Sequence, residues 1–164
     1  MSVSHVPSPH SYHVMSTVSE GLMAGLLAGL SIIGVFFAYD LGFSDVFRTP
    51  SVLNAYLWGG AEAAQNAIPS AESAIAYSVV HLSAWLVVGV LAAFAVTRTD
   101  RSRRAWYVVT IVATTLLCGA IALGSFWEVP GLGADVLWVG ALIGGIVFLG
   151  YFGWRHPHLI QPAE

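Results

Sequence analysis

One histidine lies inside a long apolar stretch of this chain, and it is the residue best suited to chemistry. His81 falls within residues 73–97, SAIAYSVVHLSAWLVVGVLAAFAVT. At helical spacing, its face also carries Tyr77, Ser78 and Trp85. An ionisable side chain is costly to keep in such a segment, so His81 is a candidate functional residue.

Three interpretations of His81 stay open at this point. It can be a neutral histidine that hydrogen-bonds a neighbouring helix, since polar side chains commonly join helices in membranes. It can ligate a haem or a bacteriochlorophyll, because neutral imidazole is a common axial ligand. It can belong to a proton path, although no second histidine or carboxylate continues one. Two haem ligands from this chain are not expected, because no other apolar block contains a histidine.

The remaining histidines lie toward the two ends of the chain and are weaker candidates for a metal site. They are His5, His10, His13, His156 and His158. Their spacing is loose and no cysteine or carboxylate accompanies them closely, so we expect no metal site. The single cysteine, Cys118, lies in an apolar block. Phosphate-binding loops and nucleophile–base arrangements do not stand out, so we expect no enzymatic activity.

The composition assigns the chain to the membrane proteins. Hydrophobic residues make up 57% of its 164 residues and charged residues only 9%, against about 25% charged residues in ordinary soluble domains. The mean hydropathy of +0.75 agrees. The formal net charge of −3 gives no basic bias toward nucleic acid, so nucleic acid is not an expected partner.

Four apolar blocks are each long enough to cross a bilayer, which takes about 20 helical residues. They cover residues of about 20–39, 73–97, 105–125 and 134–154. We therefore predict an all-α, integral membrane four-helix bundle that forms a single membrane domain over residues 1–164, with a cytoplasmic arm at residues 1–19.

The external segment 40–72 carries too many charges to span a membrane, among them Asp40, Asp45, Glu62 and Glu72. Such carboxylates are expected to be solvated. Within the segment, Thr49-Pro50 is typical of a helix start, with Thr49 as the N-cap and Pro50 as the first helical residue. Gly59-Gly60 would end this helix. We predict a short interfacial helix between spans one and two.

Arginine placement gives the orientation. Residues 98–104 contain four arginines: Arg98, Arg101, Arg103 and Arg104. A further arginine, Arg155, follows the last apolar block. With four spans, the arginine cluster and Arg155 lie on the same side of the membrane. The positive-inside rule makes that side cytoplasmic. We expect a multi-pass protein of the bacterial inner membrane with both termini in the cytoplasm. The arginine cluster can also contact anionic lipid headgroups.

Small residues recur every fourth position in two of the blocks. They are Gly21, Gly25 and Gly29 in the first, and Gly140 and Gly144 in the last. Such ridges let helices approach closely in membranes. They can serve packing within the bundle or docking onto a partner subunit, and the sequence does not separate these two uses.

Several stretches resemble a loosely defined group of uncharacterised small bacterial four-span membrane proteins. The stretches are EGLMAGLLAG, FFAYDLGF, RTPSVLNAYLW, AYSVVHLSAWLVVGVLAA and WRHPHL. In that group a first helix is followed by an acidic residue, a Thr-Pro helix start and a Y…VH pattern. These features correspond here to Asp40, Thr49-Pro50 and Tyr77…His81. The resemblance implies the four-span fold and no particular activity.

The expected function is that of an accessory or structural subunit in a larger bacterial membrane complex. An energy-transducing host, respiratory or photosynthetic, is suggested by analogy alone. The expected partners are other integral membrane subunits and lipids. One alternative is a haem- or bacteriochlorophyll-binding membrane protein that uses His81. Another is a small homo-oligomeric channel or transporter.

Overall fold

The computed structural model describes residues 9–99 and 129–156, which form an all-α bundle. The four described helices are α1 (Pro9–Phe43), α2 (Arg48–Gln65), α3 (Ala71–Thr99) and α4 (Ala134–Arg155). The predicted fold class is confirmed to that extent.

Three of these helices are long and apolar enough to cross a membrane. The candidate spans are Met15–Phe43, Ala71–Thr97 and Asp135–Arg155, of 29, 27 and 21 residues. Their mean hydropathies are 2.2, 2.3 and 2.0. By length and composition, the chain is therefore an integral, multi-pass membrane protein. Helix α2 is shorter, with 18 residues.

Helix α1 extends beyond its predicted bounds at both ends. It begins at Pro9 rather than near Glu20, so part of the predicted N-terminal arm is helical. Proline is tolerated in a first turn because its missing N–H would have no partner there. The helix continues past Tyr39 to Phe43, which places Asp40 inside it rather than in the external segment.

A serine cap sets the start of α3. The backbone N–H of Ser73 donates to Ser70 Oγ at 3.2 Å, which is the usual way an N-cap satisfies a free amide of the first turn. Glu72 in that turn is favourable for the helix dipole. As a result, α3 begins at Ala71, slightly earlier than predicted. The bounds of α4 nearly match the prediction.

The short helix predicted after the first span is present as α2, but its ends differ from the prediction. Phe47, rather than Thr49, is the N-cap, with φ of 70°. Gly60 has φ 71° and ψ −161°, and it interrupts the helix rather than ending it. The helix resumes and runs to Gln65.

The core of the bundle lies along α1, which packs between α3 and α4. A cluster toward the start of α1 contains Ala24, Ala28, Ala93, Val96, Phe148 and Phe152. A second cluster, toward the end of α1, contains Ile32, Phe36 and Val136. Trp85 packs against both clusters and meets the ring of Phe148 edge-on, with centroids 5.7 Å apart.

Both α3 and α4 run antiparallel to α1. Gly21 lies beside Val90, and Gly29 lies beside Leu82. Helix α3 therefore ends near the start of α1, whereas α4 begins near the end of α1. The span predicted at 105–125 lies outside the described residues.

Candidate functional site

His81 lies among aromatic rings at the contact between α3 and α1. Its ring stacks on Tyr77, with centroids 5.4 Å apart and 26° between the planes. The rings of Phe36 and Trp85 lie 6.5 and 6.3 Å away. Its Nδ1 is 3.4 Å from the Tyr77 hydroxyl oxygen, a long and therefore weak hydrogen bond. Its Nε2 is buried and has no hydrogen-bond partner among the described residues.

This geometry bears on the chemistry available to His81. Among the described residues, the polar contact of His81 is with Tyr77 on its own helix and not with a neighbouring helix. If Nδ1 donates its proton to the Tyr77 oxygen, Nε2 keeps a free lone pair, which is the form that an axial ligand has. However, Nε2 is shielded from the surface in this arrangement. A tetrapyrrole would reach it only after the surrounding side chains moved.

The histidines near the termini form no metal centre in the described part of the chain. There, no group of three or more His, Cys, Asp or Glu side chains is placed to hold an ion. His156 is engaged with Glu20, and His5 and His158 lie outside the described residues.

Glu20 and His156 join the start of α1 to the end of α4. His156 Nε2 lies 2.7 Å from Glu20 Oε1, and both side chains are mostly buried. The His156 ring also stacks on Phe152 at 6.5 Å. No local pattern indicates this pair, because the two residues lie 136 positions apart in the sequence. Glu20 lies well inside α1, since this helix begins at Pro9.

Asp40 is completely buried, which corrects the expectation that it is a solvated external carboxylate. Its Oδ2 accepts a hydrogen bond from the Thr49 backbone N–H at 2.8 Å. Its Oδ1 accepts from the Thr49 hydroxyl at 2.6 Å and from the Ser44 hydroxyl at 3.0 Å. Hydrogen bonds to a charged acceptor are stronger than neutral ones, and a helix N-terminus favours a negative charge. Asp40 thus supplies from α1 the cap that Phe47 cannot supply.

Two further contacts anchor α2. The Arg48 guanidinium donates from Nε and Nη2 to the Gly131 carbonyl oxygen, at 3.3 and 3.2 Å. Gly131 has φ of 85°, a conformation that favours glycine. The Ser51 hydroxyl donates to the Ser70 carbonyl at 3.2 Å and accepts from the Ser70 N–H at 3.0 Å. Helix α2 is therefore fixed to α1, to the start of α3 and to the turn before α4.

The glycine ridge of α1 faces α3 of the same chain. A Cβ at Gly25 would strike the Trp85 carbonyl oxygen, and one at Gly21 would come within 2.5 Å of Val90 Cα. The facing residue on α3 is Gly89, which was not among the glycines predicted to pack. A Cβ there would strike the Gly21 carbonyl oxygen. The two backbones are in direct contact at this crossing.

The two glycines predicted on the last helix face α1. A Cβ at Gly140 would lie 2.9 Å from the Phe36 ring, and one at Gly144 would lie 2.5 Å from Ile32 Cδ1. The rest of the α1 ridge, Gly29, meets the Leu82 side chain. In this structure, both ridges are used within the chain.

The arginine cluster lies mostly beyond the described residues. Arg98 falls within the last turn of α3, whereas Arg101, Arg103 and Arg104 lie outside the described ranges. Arg155, in the last turn of α4, lies at the same end of the bundle as the end of α3. The role of the cluster in lipid contact and topology stays a prediction.

Comparisons with known proteins assign no relative. No protein family, no curated protein and no solved structure matches this chain. The resemblance drawn from the sequence therefore stands only at a coarser level. The chain is a small helical protein with three long apolar helices in its described part, and no family is identified for it.

Proposed function

We propose that this chain is an accessory structural subunit of a larger bacterial membrane complex. The supporting observation is how its polar side chains are used. Asp40 and Arg48 fix α2 at one end of the bundle, and Glu20 and His156 join α1 to α4 at the other. These groups stabilise an arrangement of helices rather than line a polar cavity.

The outer face of α3 offers a surface for neighbouring subunits. Every fourth residue of this helix from Ile75 to Leu91 forms one row. All but Ser83 in this row are exposed aliphatic side chains: Ile75, Val79, Val87 and Leu91. Rows at this spacing form the ridges with which helices interdigitate. Helix α4 exposes a similar set, Val139, Leu142 and Ile146. Both faces suit contact with membrane helices or with lipid chains.

The proposed host is an energy-transducing complex in the bacterial inner membrane, by analogy with the small multi-span subunits that such complexes collect. In this proposal the ends of α3 and α4 face the cytoplasm, and α2 lies at the opposite surface. The proposed partners are integral membrane subunits and lipids.

A gentle-detergent purification of the tagged protein from its native membrane tests this function, with subunit identification and an absorption spectrum on the same sample. We expect stoichiometric partner subunits. Two variants, Val87→Trp on α3 and Ile146→Trp on α4, are then compared, and the one that releases the partners identifies the docking face. A lone, colourless homo-oligomer would contradict the proposal and favour the channel or transporter alternative.

A second candidate function is binding of haem or bacteriochlorophyll by His81, and it is favoured by Nε2, which has no hydrogen-bond partner in the part of the chain that the structure describes. In this case the purified protein is coloured. His81→Ala removes the colour, whereas Tyr77→Phe, which deletes only the hydroxyl near Nδ1, keeps the pigment and shifts its spectrum. A colourless native preparation rejects this candidate.

A further inference from the structure

An apolar groove of 280 Å³ lies where α1, α3 and the start of α2 meet. Phe36 and Phe37 of α1 form one wall, and Ile75 and Val79 of α3 form the other. Phe37, Ile75 and Val79 are exposed, so the groove opens toward the surroundings of the bundle. The lining is almost entirely hydrocarbon, with two hydroxyl-bearing residues, Tyr77 and Ser78.

The start of α2 closes one end of this groove. Phe47 and Pro50 line it there, and Thr49, which lies between them, is held by two hydrogen bonds to buried Asp40. Phe47 adopts φ of 70°, which is an uncommon conformation for a bulky residue. Its ring lies 5.8 Å from that of Phe37. Local strain of this kind persists where the surrounding contacts fix it, and here they fix the end wall of the groove.

The position of the groove in the chain indicates what surrounds it. Its walls belong to two candidate spans, Met15–Phe43 and Ala71–Thr97. The medium beside these walls is therefore the hydrocarbon of the bilayer, near the end of the bundle where α2 lies. A lipid chain reaches the groove by lateral movement, without crossing a polar layer.

The dimensions of the groove favour a narrow hydrocarbon chain over a helix. A helix with its side chains is about 10–12 Å across, which is too wide for a groove of 280 Å³. Its volume is slightly below that of typical small-molecule sites, which hold about 300–1,000 Å³. A chain within it gains dispersion contacts on several sides, whereas a chain on a flat helix face has them on one.

We propose that this groove holds one acyl chain of a membrane phospholipid, with α2 as the fixed end wall. The occupied site would make the lipid part of the folded protein rather than part of the exchanging lipid around it. This inference does not depend on the proposed accessory function, because it concerns the isolated chain as well as an assembled one.

The test is native mass spectrometry of the purified protein after stepwise removal of lipid, with the lipids identified from the same sample. We expect one retained phospholipid per chain. Ile75→Trp fills the groove and should lower its occupancy about tenfold. Leu91→Trp is the matched control, because Leu91 and Ile75 lie on the same helix and are each 64% exposed, but Leu91 lies outside the groove. Its occupancy should not change.

A second variant, Ala71→Phe, fills the groove from the α2 end and should give the same loss as Ile75→Trp. The melting temperature in detergent confirms that each variant is folded. Equal lipid retention in the wild type and both groove variants would overturn the proposal. Retention of an isoprenoid quinone instead of a phospholipid, or a dimer that Ile75→Trp dissociates, would also overturn it, because the occupant would then be different.

Discussion

At the scale of single residues, α1 and α3 can approach closely because two glycines at their crossing have no side chain. Gly25 and Gly89 bring the backbones of the two helices into direct contact. Lipid chains are as apolar as leucine, so close van der Waals packing replaces water exclusion as the force between these helices. One added methyl group at this crossing must therefore push the helices apart.

Gly25→Ala is expected to destabilise the protein by about 1–3 kcal/mol, because the new methyl group meets the Trp85 carbonyl oxygen. Gly34→Ala in the same helix is the matched control, since a Cβ there has no atom within 4 Å. Alanine's better helix propensity should make the control neutral or more stable by up to about 1 kcal/mol. Thermal unfolding in detergent measures both. Equal stability of the two variants would contradict the crossing described here.

Asp40→Asn is expected to lower stability by about 1–3 kcal/mol, because an amide replaces a charged acceptor and turns one NH₂ group toward the donors of Ser44 or Thr49. Asp45→Asn, at an exposed position between α1 and α2, should have little effect. Hydrogen exchange of the Thr49 amide reports the local change. Unchanged protection of that amide in Asp40→Asn would show that the carboxylate does not cap α2.

At the scale of elements, α2 shows how a helix can be fixed by residues outside it. Its sequence predicted a short helix, and the start at Thr49-Pro50 was placed close to the real one. The cap, however, comes from Asp40 in α1, and Arg48 reaches the turn before α4. A cap supplied by another helix leaves no local signal, because the usual signal is a capping residue adjacent to the helix.

The pair that joins α1 to α4 is expected to couple these helices energetically. A double-mutant cycle with Glu20→Gln and His156→Gln isolates the pairwise energy from the other contacts of each residue. We expect a coupling on the order of 1 kcal/mol in favour of the native pair, because both side chains are mostly buried. Unfolding in detergent near neutral pH supplies the four stabilities. Additive effects would mean that the contact contributes no stability.

At the scale of the whole molecule, the ends of the bundle differ in their chemistry. The end that holds α2 carries the acidic residues Asp45, Glu62, Glu72 and Asp135, together with Arg48. The other end holds the end of α3, where the arginine cluster begins, and Arg155 at the end of α4. This asymmetry is the basis of the proposed orientation, since basic residues accumulate on the cytoplasmic side.

The orientation predicts the outcome of a labelling experiment in intact cells. In a Cys118→Ser background, Glu62→Cys on α2 should react with a membrane-impermeant maleimide added outside the cells. A fluorescent protein fused to the C-terminus should fluoresce, and alkaline phosphatase fused there should be inactive. Ser16→Cys, near the start of α1, is the matched control and should react only after the cells are opened. The reverse pattern would invert the topology.

The sequence by itself determined that this protein lies in a membrane, and it determined most of its helices. Low charge and long apolar blocks predicted the three described spans, because a bilayer demands about 20 apolar residues in each helix. The recurrence of Gly21, Gly25 and Gly29 indicated a close helix contact. These properties are local, since each depends on residues that are neighbours in the chain or along one helix face.

Only the tertiary structure decided which residues meet. It places Gly89 opposite the ridge of α1, buries Asp40 against Thr49 and brings His156 to Glu20. It also shows that His81 contacts Tyr77 on its own helix. The physical reason is that a polar side chain in an apolar medium takes whichever partner the helix packing brings within about 3 Å. That packing depends on contacts between residues far apart in the sequence.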